Sequence, residues 1–106
     1  MRRTLASLCL IVMAATNAVA ETGDVARGRA YAQQTCAQCH AIMPDGSASP
    51  NDRAPPFVRI ADTPGMTATA LAVFLRTPHP TMPNIVVGRD DLADIIAFIL
   101  SQRTPR

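Results

Sequence analysis

Residues 36–40 read Cys-Ala-Gln-Cys-His, two thiols and an imidazole with only Ala37 and Gln38 between the cysteines. No other stretch of this 106-residue chain restricts its fold as strongly. Cysteines at this spacing hold a metal, cycle between dithiol and disulfide, or take a prosthetic group covalently, and each use asks for a different scaffold. The surrounding sequence discriminates among them.

The first twenty residues, MRRTLASLCLIVMAATNAVA, have the layout of an export signal: a basic start at Arg2 and Arg3, an apolar stretch over 5–15, and small residues at Ala18 and Ala20. The apolar stretch is shorter than the roughly 20 residues that a spanning helix needs. Residues 1–20 are therefore read as a cleaved signal peptide rather than an anchor, and residues 21–106 as one domain. An arginine doublet alone does not signal twin-arginine export, and Cys9, behind the bulky Leu8, does not read as a lipidation site.

Cleavage leaves 106 − 20 = 86 residues and removes Cys9, so Cys36 and Cys39 are the remaining cysteines. That excludes the disulfide framework of small secreted domains. Ten arginines less Arg2 and Arg3 leave eight, against eight acidic residues, and the chain has no lysine. A formally neutral domain lacks the net basic charge that favours nucleic acid or anionic lipid.

A domain of this size has a thin core and often relies on a staple or cofactor. Aromatic residues are few: Tyr31, Phe57, Phe74 and Phe98. A large planar apolar group would fill the middle.

The residue pattern predicts helices and no strands. A first helix over about 24–35 leads directly into Cys36. Residues 43–66 hold five prolines and two glycines and read as a long irregular segment, with Phe57, Val58 and Ile60 arguing that it wraps a site. A second helix starts near Thr67, places Leu71, Phe74 and Leu75 on one face and stops before Pro78. The last, DDLADIIAFILSQR, has aspartates at its positive end, Arg103 near its negative end and a stripe of Leu92, Ile95, Ile96 and Ile99.

This layout weighs against two of the three chemistries. Structural zinc needs four ligands, and beyond the cluster only His79 remains, while the adjacent Cys39 and His40 do not easily reach one metal. A redox dithiol sits at the start of a helix after a strand, whereas here a helix precedes the motif and a loop follows. Covalent haem asks for Cys-x-x-Cys-His, each thiol adding across one vinyl group and the histidine reaching the iron.

The sequence resembles the small bacterial class I c-type cytochromes over nearly all of residues 24–103. Gly28-Arg29-Ala30-Tyr31 before CAQCH resembles the family's first helix, where glycine permits close crossing by the last. Ala54-Pro55-Pro56-Phe57 resembles the segment whose proline carbonyl receives the N–H of the proximal histidine. TPHPTMPN resembles the strip presenting an axial methionine, and DLADIIAFILSQR the closing helix with its aromatic, Phe98.

The resemblance implies an all-α cytochrome c fold, three or more helices and irregular loops around one haem c attached through Cys36 and Cys39. It implies His40 as proximal ligand. Among the distal candidates, Met82 lies between Pro80 and Pro83 in a stiffened loop, and a His/Met pair is the ligand set of cytochromes c. Met43 is too close to the motif, Met66 reads as packing, and His79 reads as solvent-facing or hydrogen-bonded. Pro55 is the expected partner of His40, and Arg59 or Arg53 a candidate partner for haem propionates. Tyr31 and Phe98 read as packing at a helix crossing.

An iron so capped has no open position for substrate, which implies a periplasmic, monomeric electron carrier and not an enzyme. Its partners would be a dehydrogenase or reductase as donor and an oxidase or similar acceptor, met through a small transient interface. Ala37, Ile42, Ile85 and Val86 are candidates for an apolar docking patch, with a core role the alternative for Ile85 and Val86. Two other readings stand beside the carrier: a haem c subunit held by a dehydrogenase, and a ligand-binding haem sensor.

Overall fold

The computed structural model describes residues 23–78, 82 and 85–106. These form four helices: α1 (Val25–Thr35), α2 (Phe57–Ala61), α3 (Ala68–Arg76) and α4 (Arg89–Ser101). No strand occurs among the described residues, and none of the described helices is long and apolar enough to cross a membrane. The leader, His79, Pro80 and Pro83 lie outside the described residues.

Local chemistry sets most of the boundaries. Asp24 caps α1, its carboxylate accepting from the Arg27 N–H at 2.8 Å, and Thr67 caps α3 by accepting from the Ala70 N–H at 3.1 Å. Each satisfies a backbone donor that the first helical turn leaves open. Asp90 and Asp91 occupy the first turn of α4, where the helix dipole favours negative charge.

The strongest interhelical contact is between α1 and α4. Gly28 makes it possible: a methyl group there would run into the Asp94 carbonyl oxygen and the Phe98 Cβ. Beside this contact Asp94 is only 6 % exposed. Its carboxylate accepts from Arg27 Nε at 2.7 Å, Arg27 Nη2 at 3.2 Å and the Asp24 N–H at 2.6 Å. These bonds hold the Asp94 carboxyl below the usual carboxylate range, the Arg27 side-chain bond being the largest cause. Two stripes of α4 are thus buried. Leu92, Ile95, Ile96 and Ile99 form one, and Asp94 and Phe98, continued at the same spacing of four by the C-cap residue Gln102, form the other.

Beyond α4 the chain staples the α2–α3 turn. Arg103 donates from Nε to the Ala61 carbonyl at 3.2 Å and from Nη2 to the Met66 carbonyl at 2.9 Å, while Thr104 donates its N–H and hydroxyl to the Asp62 carboxylate. The core joins Ala32, Ile42, Phe57, Ala61 and Leu71 to the aliphatic residues of α4.

Three details differ from the sequence reading. The 43–66 segment contains the short helix α2, whose five residues offer no apolar period to detect. Phe74 is 54 % exposed although it shares a sequence face with buried Leu71; the side of α3 that packs on the core carries Leu71, Ala72 and Leu75. Ile42, a candidate for the apolar patch, is buried, whereas Val86 is 91 % exposed as that patch requires.

Two predictions follow from the helix crossing. Gly28→Ala lowers unfolding free energy by about 2 kcal/mol or more, as overpacking at a backbone contact does, read from denaturant titration. Asp94, depressed in the folded state, contributes stability that is complete above the unfolded carboxylate value near about 4 and is lost as pH falls through the lower folded value. Thermal midpoints therefore drop on the acid side of that window, and Asp94→Asn lowers the midpoint at neutral pH while flattening the acid limb.

Candidate functional site

Helix α1 delivers the cysteine cluster. Its last turn runs on through the motif: Cys36 N–H and Ala37 N–H both donate to the Ala32 carbonyl, and Cys39 N–H and His40 N–H both donate to the Cys36 carbonyl at 3.1 and 2.9 Å. In such a helical turn residues three apart lie on one side, so Cys36 and Cys39 are neighbours along one edge. Both are half-buried and free of disulfide. Burial pushes the Cys36 thiol up to about 11. That setting favours an uncharged sulfur, the opposite of what a reactive dithiol or a thiolate ligand requires.

His40 is fixed from two directions. Its Nδ1 lies 2.7 Å from the Pro55 carbonyl oxygen. A carbonyl only accepts, so the proton is on Nδ1 and the lone pair is on Nε2. The ring also rests at 5.5 Å and 50° from Phe57, which in turn meets Phe98 edge-on at 6.1 Å. A run of three rings thereby connects the motif to the α1–α4 crossing. Pro55 is followed by Pro56 and α2, and Phe57 N–H donates to the Ala41 carbonyl at 2.9 Å, which closes the segment back on the motif.

The methionines divide by their surroundings. Met43 and Met66 pack against the core, the usual fate of this adaptable side chain. Met82 is half-buried at a bend. Arg59 is exposed in the last turn of α2, and Arg53 is exposed in the preceding loop. The structure thus joins Cys36, Cys39, His40 and Pro55, and carries Arg59 on the helix that follows Pro55.

A family model described as cytochrome c oxidase, cbb3-type, subunit III matches residues 23–99. Over 100 residues the chain is 34 % identical to cytochrome c-552 of Bradyrhizobium diazoefficiens, with 93 % of this chain and 95 % of the relative covered. The chain belongs to the small bacterial class I c-type cytochromes. No solved structure matches it. The cytochrome has the all-α fold of its family and carries electrons with a covalently held haem c. The matches support an electron carrier and do not favour the dehydrogenase-subunit or sensor reading.

The residues fit that group. Two sulfurs on one edge of a turn suit paired thioethers, which are neutral and so compatible with the desolvated setting of Cys36. An imidazole whose Nδ1–H is taken by a carbonyl presents a basic Nε2 to a metal.

Sequence reasoning did not find Asp94 or Ser49. Asp94 gave no signal in the sequence, because Asp90, Phe98 and Gln102 at the same spacing of four make its face mostly polar. Ser49, in a loop of turn-forming residues, gave no local signal.

Phe57→Ala removes the support under the His40 ring from a site only 3 % exposed and costs about 3–5 kcal/mol. Phe57→Leu, which keeps most of the apolar volume and leaves a smaller cavity, costs less than Phe57→Ala. Chemical denaturation of the two variants checks the difference.

Proposed function

We propose that the cytochrome is an exported, periplasmic, monomeric one-electron carrier, with haem attached through Cys36 and Cys39 and iron held between His40 and Met82. The observation that carries this reading is the 2.7 Å contact between His40 Nδ1 and the Pro55 carbonyl, next to two half-buried cysteines on one turn. When bound, haem supplies a one-electron ferrous–ferric couple.

The chain's residues supply the rest. His40 donates Nε2, kept in one tautomer and orientation by Pro55. Met82 contributes a soft thioether that favours the reduced state and raises the potential. The two thioether tethers keep the group in place through both oxidation states. With His40 and Met82 both holding the iron, no position would be left for a substrate, so the protein would exchange electrons and catalyse no reaction on a bound molecule. Arg59, exposed on α2, is the residue assigned to a propionate, through charge-assisted bonds from its guanidinium.

Residues 1–20 are a signal peptide removed on export, which places covalent attachment and function in the periplasm. With eight arginines and eight acidic residues after cleavage, long-range steering by net charge is weak. Encounters with a dehydrogenase or reductase donor and an oxidase-type acceptor depend on short-range complementarity.

Absorption spectra of the purified protein in both oxidation states test the reading. The expected result is the band pattern of covalent haem c, with an iron–sulfur charge-transfer feature in the oxidised form and slow, weak carbon monoxide binding in the reduced form. Met82→Ala removes the charge-transfer feature, lowers the potential and admits carbon monoxide rapidly. A colourless protein, or an unsubstituted one that binds carbon monoxide as readily as the variant, sinks the proposal.

A further inference from the structure

The segment after His40 is tied down at more points than the imidazole bond alone. Ala41, directly following it, is buried. Its carbonyl accepts from the Phe57 N–H at 2.9 Å, and its N–H donates to the Ser49 hydroxyl at 3.0 Å. One residue before His40, the Cys39 carbonyl accepts from the Asn51 N–H at 3.1 Å. Between these anchors residues 44–48 are exposed, and Gly46 turns the chain with a φ of +80°. The loop leaves the body after Met43 and re-enters at Ser49, which is half-buried.

We propose that Ser49 is a positioning residue for electron transfer: by accepting the Ala41 N–H it fixes the His40–Ala41 peptide, and through it the hydrogen bond from His40 Nδ1 to the Pro55 carbonyl. The inference rests on reading His40 as the axial ligand.

The physical chain is short. Ala41 is clamped by Ser49 on its N–H and by Phe57 on its carbonyl, and Pro55 lies two residues before Phe57. Without the hydroxyl a buried N–H has no acceptor, a state that structures avoid by shifting the backbone toward water. Rotation of that peptide pulls on the Ala41–Phe57 bond and moves the Pro55 carbonyl away from Nδ1. The carbonyl makes the imidazole a stronger donor. Weakening it removes more stabilisation from the ferric than from the ferrous form, so the potential rises.

Ser49→Ala and Ser49→Thr in the haem-loaded protein test this, read by amide hydrogen exchange and by reduction potential. In Ser49→Ala the Ala41 amide exchanges roughly tenfold faster or more, relative to buried amides of α4, as the loss of one buried hydrogen bond predicts. The potential moves upward in the same variant. Ser49→Thr, which keeps the hydroxyl, restores both. Where the alanine variant does not mature, Ser49→Cys shows the same two changes, because a thiol is a poor acceptor. Unchanged Ala41 exchange overturns the proposal. A uniform rise in exchange with an unmoved or lower potential also overturns it, by leaving Ser49 only structural. Paramagnetic ring-proton shifts of the unsubstituted protein separate the premises. If imidazole ligation is missing, the reading of His40 fails and takes the inference with it; if ligation is present, a negative result counts against Ser49 alone.

Discussion

The close approach of α1 and α4 at Gly28 is the constraint on which the molecule is built. Because the glycine has no side chain, the Asp94 backbone and Phe98 reach the helix that ends in the cysteine pair. Phe98 then touches Phe57, and Phe57 touches His40. The crossing is thereby connected to the imidazole through a run of packed rings. This matters in an electron carrier, where the ligand set must hardly move when the charge on the metal changes.

The crossing also accommodates a charge that a thin core would ordinarily exclude. A buried carboxylate is tolerated only when fully paired. Asp94 meets that condition with two donors from Arg27 and the Asp24 N–H. Asp24 simultaneously caps α1. One small network therefore neutralises a buried charge, starts the first helix and aligns it with the last. At the other end of α4, Arg103 and Thr104 play the equivalent part for the α2–α3 turn. The last helix thus organises both the motif-bearing helix and the segment that follows Pro55.

Most helix boundaries were legible because their causes are local. Asp24 and Thr67 act on donors three residues away, and the apolar period of α4 is visible without any knowledge of its partner. Helix α2 was not legible, since five residues complete little more than one turn and leave no period to recognise. The exposure of Phe74 was not legible either. Apolar character states a preference for burial, while the neighbouring surface decides whether burial occurs.

The cysteine cluster narrowed the chemistry to three uses, and the sequence around it, with a helix before the motif, a loop after it and too few further ligands for zinc, selected among them. The pairing of Pro55 with His40 was implied only by resemblance to a family and is realised by a loop that closes over fifteen residues. Arg27 with Asp94, 67 residues apart, and Ser49 with Ala41 were settled by tertiary structure alone. Such contacts depend on where separate elements come to rest, and that is set by the shape of a helix crossing rather than by any residue's own preference.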